Sequence, residues 1–234
     1  MAIRPRHRDQ AAMKNLLSIL SALLLGACAS TPPVPDWQAN AFTALKSSTS
    51  AYLEGNTRVA DFEFARAKSE VAKTGRVDLM AKIELVRCAA QVASLALQPC
   101  AAYQALATEA QPAEQAYAAF IAGRWTGLNP ALLPPAYQAL VAQAQQVQPQ
   151  ISSLPLAQIQ DPLSRLLVAS LLLQKELLAL EDIGLAVKIA SNQGWRRPLL
   201  GWLGVQLKRH QTVGNAAAAQ RIKQRIELVL QATP

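Results

Sequence analysis

Few side chains here can do chemistry, and their spacing narrows the choices. The chain has three cysteines, Cys28, Cys88 and Cys100. His210 is the only histidine after the first 27 residues. One imidazole and two remote thiols do not make a zinc shell, so no metal site is expected. No G-x-S-x-G elbow accompanies His210. No phosphate-cradling glycine motif is present, so no cofactor is expected and no catalytic residue is assigned. Glu63, Glu70 and Glu84 are the carboxylates a single-acid hydrolase would use. Each has a base nearby on the same predicted helix (Arg66, Lys73, and Arg87 or Lys82), which reads as ordinary surface pairing. Trp195, Arg196, Arg197 and Trp202 interleave indoles with guanidiniums, and Lys208 and Arg209 follow. Such a mixture suits phosphates or a sugar polymer at an interface. These six residues are the candidate contact site; core tryptophans beside solvated arginines are the alternative.

Cys28 closes a three-part N-terminus. Arg4, Arg6, Arg8 and Lys14 precede an apolar run from Leu16 to Leu25, and Gly26 and Ala27 are small. This is the pattern of a secretory signal. The run is about half of the roughly 20 residues a spanning helix needs. Met13-Lys14-Asn15 would by itself make a compact start. The tetrapeptide Leu25-Gly26-Ala27-Cys28 resembles a bacterial lipobox. The resemblance implies residues 1–27 as signal peptide, cleavage before Cys28 and acylation of its sulfur, since diacylglyceryl transfer needs a thiol. Two or more acyl chains hold a protein stably on a membrane where one does not. Ala29, in place of Asp, implies the outer membrane with the body facing the periplasm. In that oxidising compartment an even pair, Cys88 and Cys100, points to a disulfide. The turn at Gln98-Pro99 would bring Cys100 back beside Cys88. Two buried thiols are the alternative.

Beyond residue 27 the chain has 207 residues, 19 of them basic and 14 acidic. The excess is concentrated at one end. From Ile183 to Pro234 there are eight basic residues and one acid, Glu227. Polyanions of a cell envelope are lipid phosphates, lipopolysaccharide and acidic protein surfaces, and nucleic acid is not expected there. A basic docking face is one reading. A solvated face with cations at helix ends is the other.

Composition and periodicity predict the elements that position these residues. The chain is 51% apolar but only 5% aromatic, and its commonest residues are strong helix formers. Residues 28–35 hold the lipidated cysteine and a proline-rich tether whose seven residues after Cys28 reach about 20 Å. From Asp36 the apolar spacing is helical. Trp37, Ala41, Leu45 and Tyr52 predict the buried stripe of a first helix, and Ala60, Phe64, Ala67 and Val71 that of a second. Leu79, Ile83, Val86 and Ala90 predict a third. A short helix over 101–109, one from Pro112 to Gly123, a turn-rich stretch to Pro135 and a helix over 136–148 follow. Residues 149–161 read as a joint between N-terminal hairpins (36–148) and C-terminal hairpins (162–234). The apolar run 163–178 predicts a central buried helix. Helices near 181–193, 198–210 and 215–231 complete an all-α fold of antiparallel hairpins. Gly55, Ala60, Phe64 and Ala67, and again Leu203-Gly204, Leu207, Val213 and Ala216, resemble tetratricopeptide spacing. Ser48 stands where that pattern has a smaller residue, and the middle of the chain has no 34-residue period. Helical-repeat lipoproteins of this kind imply a lipid-anchored scaffold or adaptor that binds an envelope protein or an anionic envelope polymer. A peptidoglycan hydrolase, or a lipid carrier with helix 163–178 lining a cavity, are the alternatives.

Overall fold

A computed structural model describes residues 33–146 and 156–232. The signal segment, the lipobox and Cys28 lie outside these residues, as does much of the expected joint. Among the described residues the regular elements are all helical. They are α1 (Asp36–Glu54), α2 (Thr57–Ala72), α3 (Val77–Ala93), α4 (Ala101–Gln104), α5 (Pro112–Ile121), α6 (Pro135–Gln146), α7 (Pro162–Gln174), α8 (Leu180–Asn192), α9 (Arg196–Thr212) and α10 (Ala216–Gln231). Short 3-10 turns at Ala107–Glu109, Pro130–Leu132 and Leu156–Gln158 break up the middle of the chain.

The two terminal hairpins, α1–α2 and α9–α10, share one turn chemistry. Gly55 and Gly214 take positive φ of 95° and 70°, where a Cβ is disfavoured. The next residue, Asn56 or Asn215, caps the following helix through its side chain. The α1 stripe differs from the expected one. The buried residues are Ala41, Ala44, Ser48, Ala51 and Leu53, while Trp37, Leu45 and Tyr52 are half-buried. Close helix approach explains the choice, because small residues fit a tight seam. Ser48 fits it too, and its hydroxyl donates to the Ala60 carbonyl at 2.8 Å. The α2 stripe of Ala60, Phe64, Ala67 and Val71 is buried as expected.

α3 and α7 pack on each other at the centre. α3 buries residues around most of its girth. α7 begins where Asp161 accepts from the Ser164 amide at 2.7 Å, with Pro162 in its first turn. Leu166, Leu167, Val168, Ala169, Leu171 and Leu172 are each at most 2% exposed. The predicted central helix is therefore solid core. α5 and α6 add an aromatic stack: Phe120 lies 4.5 Å from Tyr137 and 5.7 Å from Trp125, centroid to centroid.

Candidate functional site

Trp202 is not a surface residue. It is 0% exposed, because α9 packs against α8, α10 and α1. Gly201 permits the approach, since a Cβ there would lie 3.1 Å from the Ser94 carbonyl oxygen. Gly204 has open space around it. Trp195 is half-buried and packs on the central core.

Arg196 and Arg197 act inward. Arg197 donates through Nε to the Tyr52 carbonyl at 2.7 Å and through Nη2 to Thr57 Oγ1 at 2.8 Å. Its guanidinium also lies 4.3 Å from the Tyr52 ring centroid, a cation–π contact. It thus fastens the start of α9 to the α1–α2 turn. Arg196 donates through Nε to the Val229 carbonyl at 3.1 Å and through Nη2 to the Leu230 carbonyl at 3.2 Å. Those carbonyls end α10 and lack partners within the helix. Adjacent arginines thus tie four helix ends together. A planar fork with several donors is suited to this, and both guanidiniums are engaged within the fold.

The remaining cations of the C-terminal helices do face water. Lys188, Lys208, Arg209, Arg221, Lys223 and Arg225 are exposed. Among the described residues, every ion pair lies on α2, α3 or the turn between them. The antiparallel α9–α10 hairpin, turning at Gly214, brings Lys208 and Arg209 level with Arg221, and Arg225 follows one turn on. Lys208, Arg209, Arg221 and Arg225 are thus exposed cations of one hairpin, and none of them has an acidic partner among the described residues.

A cleft of about 390 Å³ opens between α3, α5, α6 and the Pro130–Leu132 turn. Leu85, Val86, Leu132 and Leu133 give it apolar walls, and Lys82 and Glu114 also line it. Inside it, Tyr137 donates to Ser164 Oγ at 2.8 Å, and Tyr117 stacks on Tyr137 at 5.9 Å. Burial pushes the Tyr117 phenol well above its usual 10, and the neighbouring Tyr137 adds to the shift. Burial raises Tyr137 as well, against the opposing effect of its side-chain interactions with Ser164 and Tyr117. Both phenols therefore stay protonated at neutral pH, fit to hydrogen-bond a ligand and unfit to take a proton. α7 contributes only Ser164 to this cleft.

The Cys88 and Cys100 sulfurs lie within bonding distance, with Cα atoms 5.7 Å apart. Cys100 stands just before α4, so the pair ties the return segment to the end of α3. Glu63 and Glu70 are held by Arg66 at 2.8 Å and Lys73 at 2.7 Å, as the spacing indicated. Glu84 differs. It is buried at 6% exposure and pairs across helices with Lys68 at 2.9 Å. Arg87 reaches Asp61 at 2.9 Å and the Phe64 ring at 4.6 Å. Sequence spacing within one helix could not reveal partners on the next. The aromatic cleft was missed for the same reason, since Tyr117 and Tyr137 are twenty residues apart and share no motif.

No family model matches the chain, and neither a curated protein nor a solved structure matches it. Among the described residues no helix is long and apolar enough to cross a membrane.

Proposed function

We propose that this protein is a lipid-anchored helical adaptor of a bacterial envelope, held to the outer membrane through acylated Cys28 and facing the periplasm. Its task is binding, and its partner is an envelope protein or polymer with an anionic surface. One observation carries the reading: Lys208, Arg209, Arg221 and Arg225 are exposed and unpaired by any acid among the described residues. On α2, α3 and their turn, by contrast, Arg66, Lys68, Lys73, Arg76 and Arg87 each have an acid within 2.6–2.9 Å. A cationic group left open by the fold favours association with an anion. The lipobox-like sequence supports the address. The Cys88–Cys100 pair supports an oxidising compartment.

Cross-linking in intact cells, followed by purification in detergent, tests the adaptor role. A stoichiometric partner is expected, lost when Lys208, Arg209 and Arg221 are together changed to Glu. Capture that survives this triple change would sink the reading. The address is tested separately. Cys28→Ala should release the protein from the membrane fraction and abolish labelling by radioactive palmitate.

A further inference from the structure

The end of the body nearest Cys28 carries an aromatic rim, and we infer that it seats directly on the bilayer, with Phe42 and Trp37 resting among the lipid headgroups. The inference rests on acylation of Cys28, proposed above. It adds a second contact with the membrane, made by the folded body, and it fixes which end of the molecule points away.

The chain between the anchor and the fold sets the geometry. From Cys28 to Asp36 there are eight Cα steps, at most about 30 Å even when fully extended. The start of α1 therefore stays within about 30 Å of the headgroups. The antiparallel hairpin, in register where Ser48 meets Ala60, brings the end of α2 and the start of α3 to the same level. Large apolar groups are exposed there. Val77 is 39% exposed and Trp37 half-buried at that level, and Phe42, 69% exposed, stands about 9 Å further along α1. Only a thin cluster of Ala41, Phe64, Val71 and Ile83 lies beneath them. An indole with one wet edge suits the headgroup layer.

Charge at this end favours apolar insertion over electrostatic attraction. Lys73 pairs with Glu70 at 2.7 Å, and Arg76 with Asp78 at 2.6 Å. The cations of the α2–α3 turn are thus neutralised locally, and Lys46, one turn along α1 from Phe42, has no ion pair among the described residues. The docked occupant is the phospholipid surface itself, and contact should persist at high salt. At the other end of α1, Gly55 packs on Arg196, which holds the last carbonyls of α10. Leu228, 68% exposed, belongs to that end. Phe42 lies thirteen residues before Gly55, about 20 Å along the helix.

The test uses the full chain, processed in a bacterial host. The mature protein is purified and the mass of its Cys28 peptide determined. It is then reconstituted into phosphatidylethanolamine–phosphatidylglycerol vesicles, with or without bromine on the acyl chains. Phe42→Trp and Leu228→Trp place an indole at each end, both at exposed positions, and circular dichroism checks the fold. The indole added at position 42 should lose about half of its emission to the bromine, as a ring at headgroup depth would, and the loss should persist in high salt. The indole added at position 228 should lose none. No loss at position 42, or equal losses at both positions, overturns the inference while Cys28 is acylated. An unmodified Cys28 overturns the anchor reading itself, and the inference with it.

Discussion

α2 and α3 are laced with ion pairs, whereas α5 and α6 are built on stacked rings. Among the described residues every salt bridge belongs to the first region, and every aromatic pair to α5, α6 and the segment between them. The two regions use the same helix-forming alphabet but hold together differently. The seam of α1 and α2 is lined by alanines, so it buries little apolar area per residue. Its outer charges are exposed, and exposed pairs contribute roughly 0–1 kcal/mol each. The centre buries whole leucine, phenylalanine and tryptophan side chains, each worth about 1.5–3 kcal/mol or more. Cooperative units of unequal stability are expected from such a contrast, and the N-terminal hairpin should open before the centre does.

The largest effect should come from the stack. Phe120 is 0% exposed and touches three other rings. Phe120→Ala should cost about 3–5 kcal/mol, measured by urea unfolding of the mature chain. Phe64→Ala, within the thin four-residue cluster, should cost less. An equal loss from both would break the contrast. Next comes the cross-link. Cys88 and Cys100 are 12 residues apart, and closing a loop of that size stabilises by about 3 kcal/mol. The double change of both cysteines to Ser should lower the unfolding midpoint accordingly, and a reducing agent should reproduce the shift in the unaltered chain.

The stack also has an alkaline pH signature. Burial raises both Tyr117 and Tyr137 above 10. Below pH 10 the phenols are neutral in folded and unfolded chains alike, and stability does not depend on them. As pH rises past 10 the unfolded chain ionises first, so stability falls. Urea midpoints at pH 9 and 11 should differ, and Tyr117→Phe should reduce the difference.

Much of this architecture could be read from the residues. The repeated Gly-Asn turns, the Asp161-Pro162 start and the leucine run of α7 are local signals, and local signals fix helix ends. The α1 stripe was legible only at Ala41, because large apolar residues attract attention, while a tight seam also selects Ala44, Ser48 and Ala51. Trp195 to Trp202 left two readings open, an interfacial patch or core tryptophans beside solvated arginines, because a linear motif says nothing about what lies opposite. Arg196 and Arg197 find carbonyls 33 and 145 residues away, and no spacing rule reaches that far. The exposed cations of α9 and α10 were legible from charge alone, but their lack of acidic partners was not.

The joint made by Arg197 gives an intermediate effect. Arg197→Lys keeps the charge but loses the fork shared between Tyr52 and Thr57. A cost of about 1–2 kcal/mol is expected for hydrogen bonds to a charged group. Amide exchange should show faster opening at the end of α1 and the start of α2, with α7 little changed. Uniform loss of protection across the molecule would mean that the hairpin and the centre unfold as one unit.

The smallest effect sharpens the contrast from the other side. Asp61 and Arg87 pair across α2 and α3 in full view of solvent. Asp61→Asn should cost under about 0.5 kcal/mol, as exposed pairs usually do. Arg87→Ala should cost more, because the same guanidinium also covers the Phe64 ring at 4.6 Å, and a cation over an aromatic face adds about 0.5–1 kcal/mol at such a site. A double-mutant cycle separates the two terms. If the Asp61 coupling accounted for the whole Arg87 effect, the charge would hold the seam together. If little coupling remains, Arg87 acts as an apolar lid on Phe64, and the ion pairs of α2 and α3 mainly neutralise a surface that the alanine seam already holds.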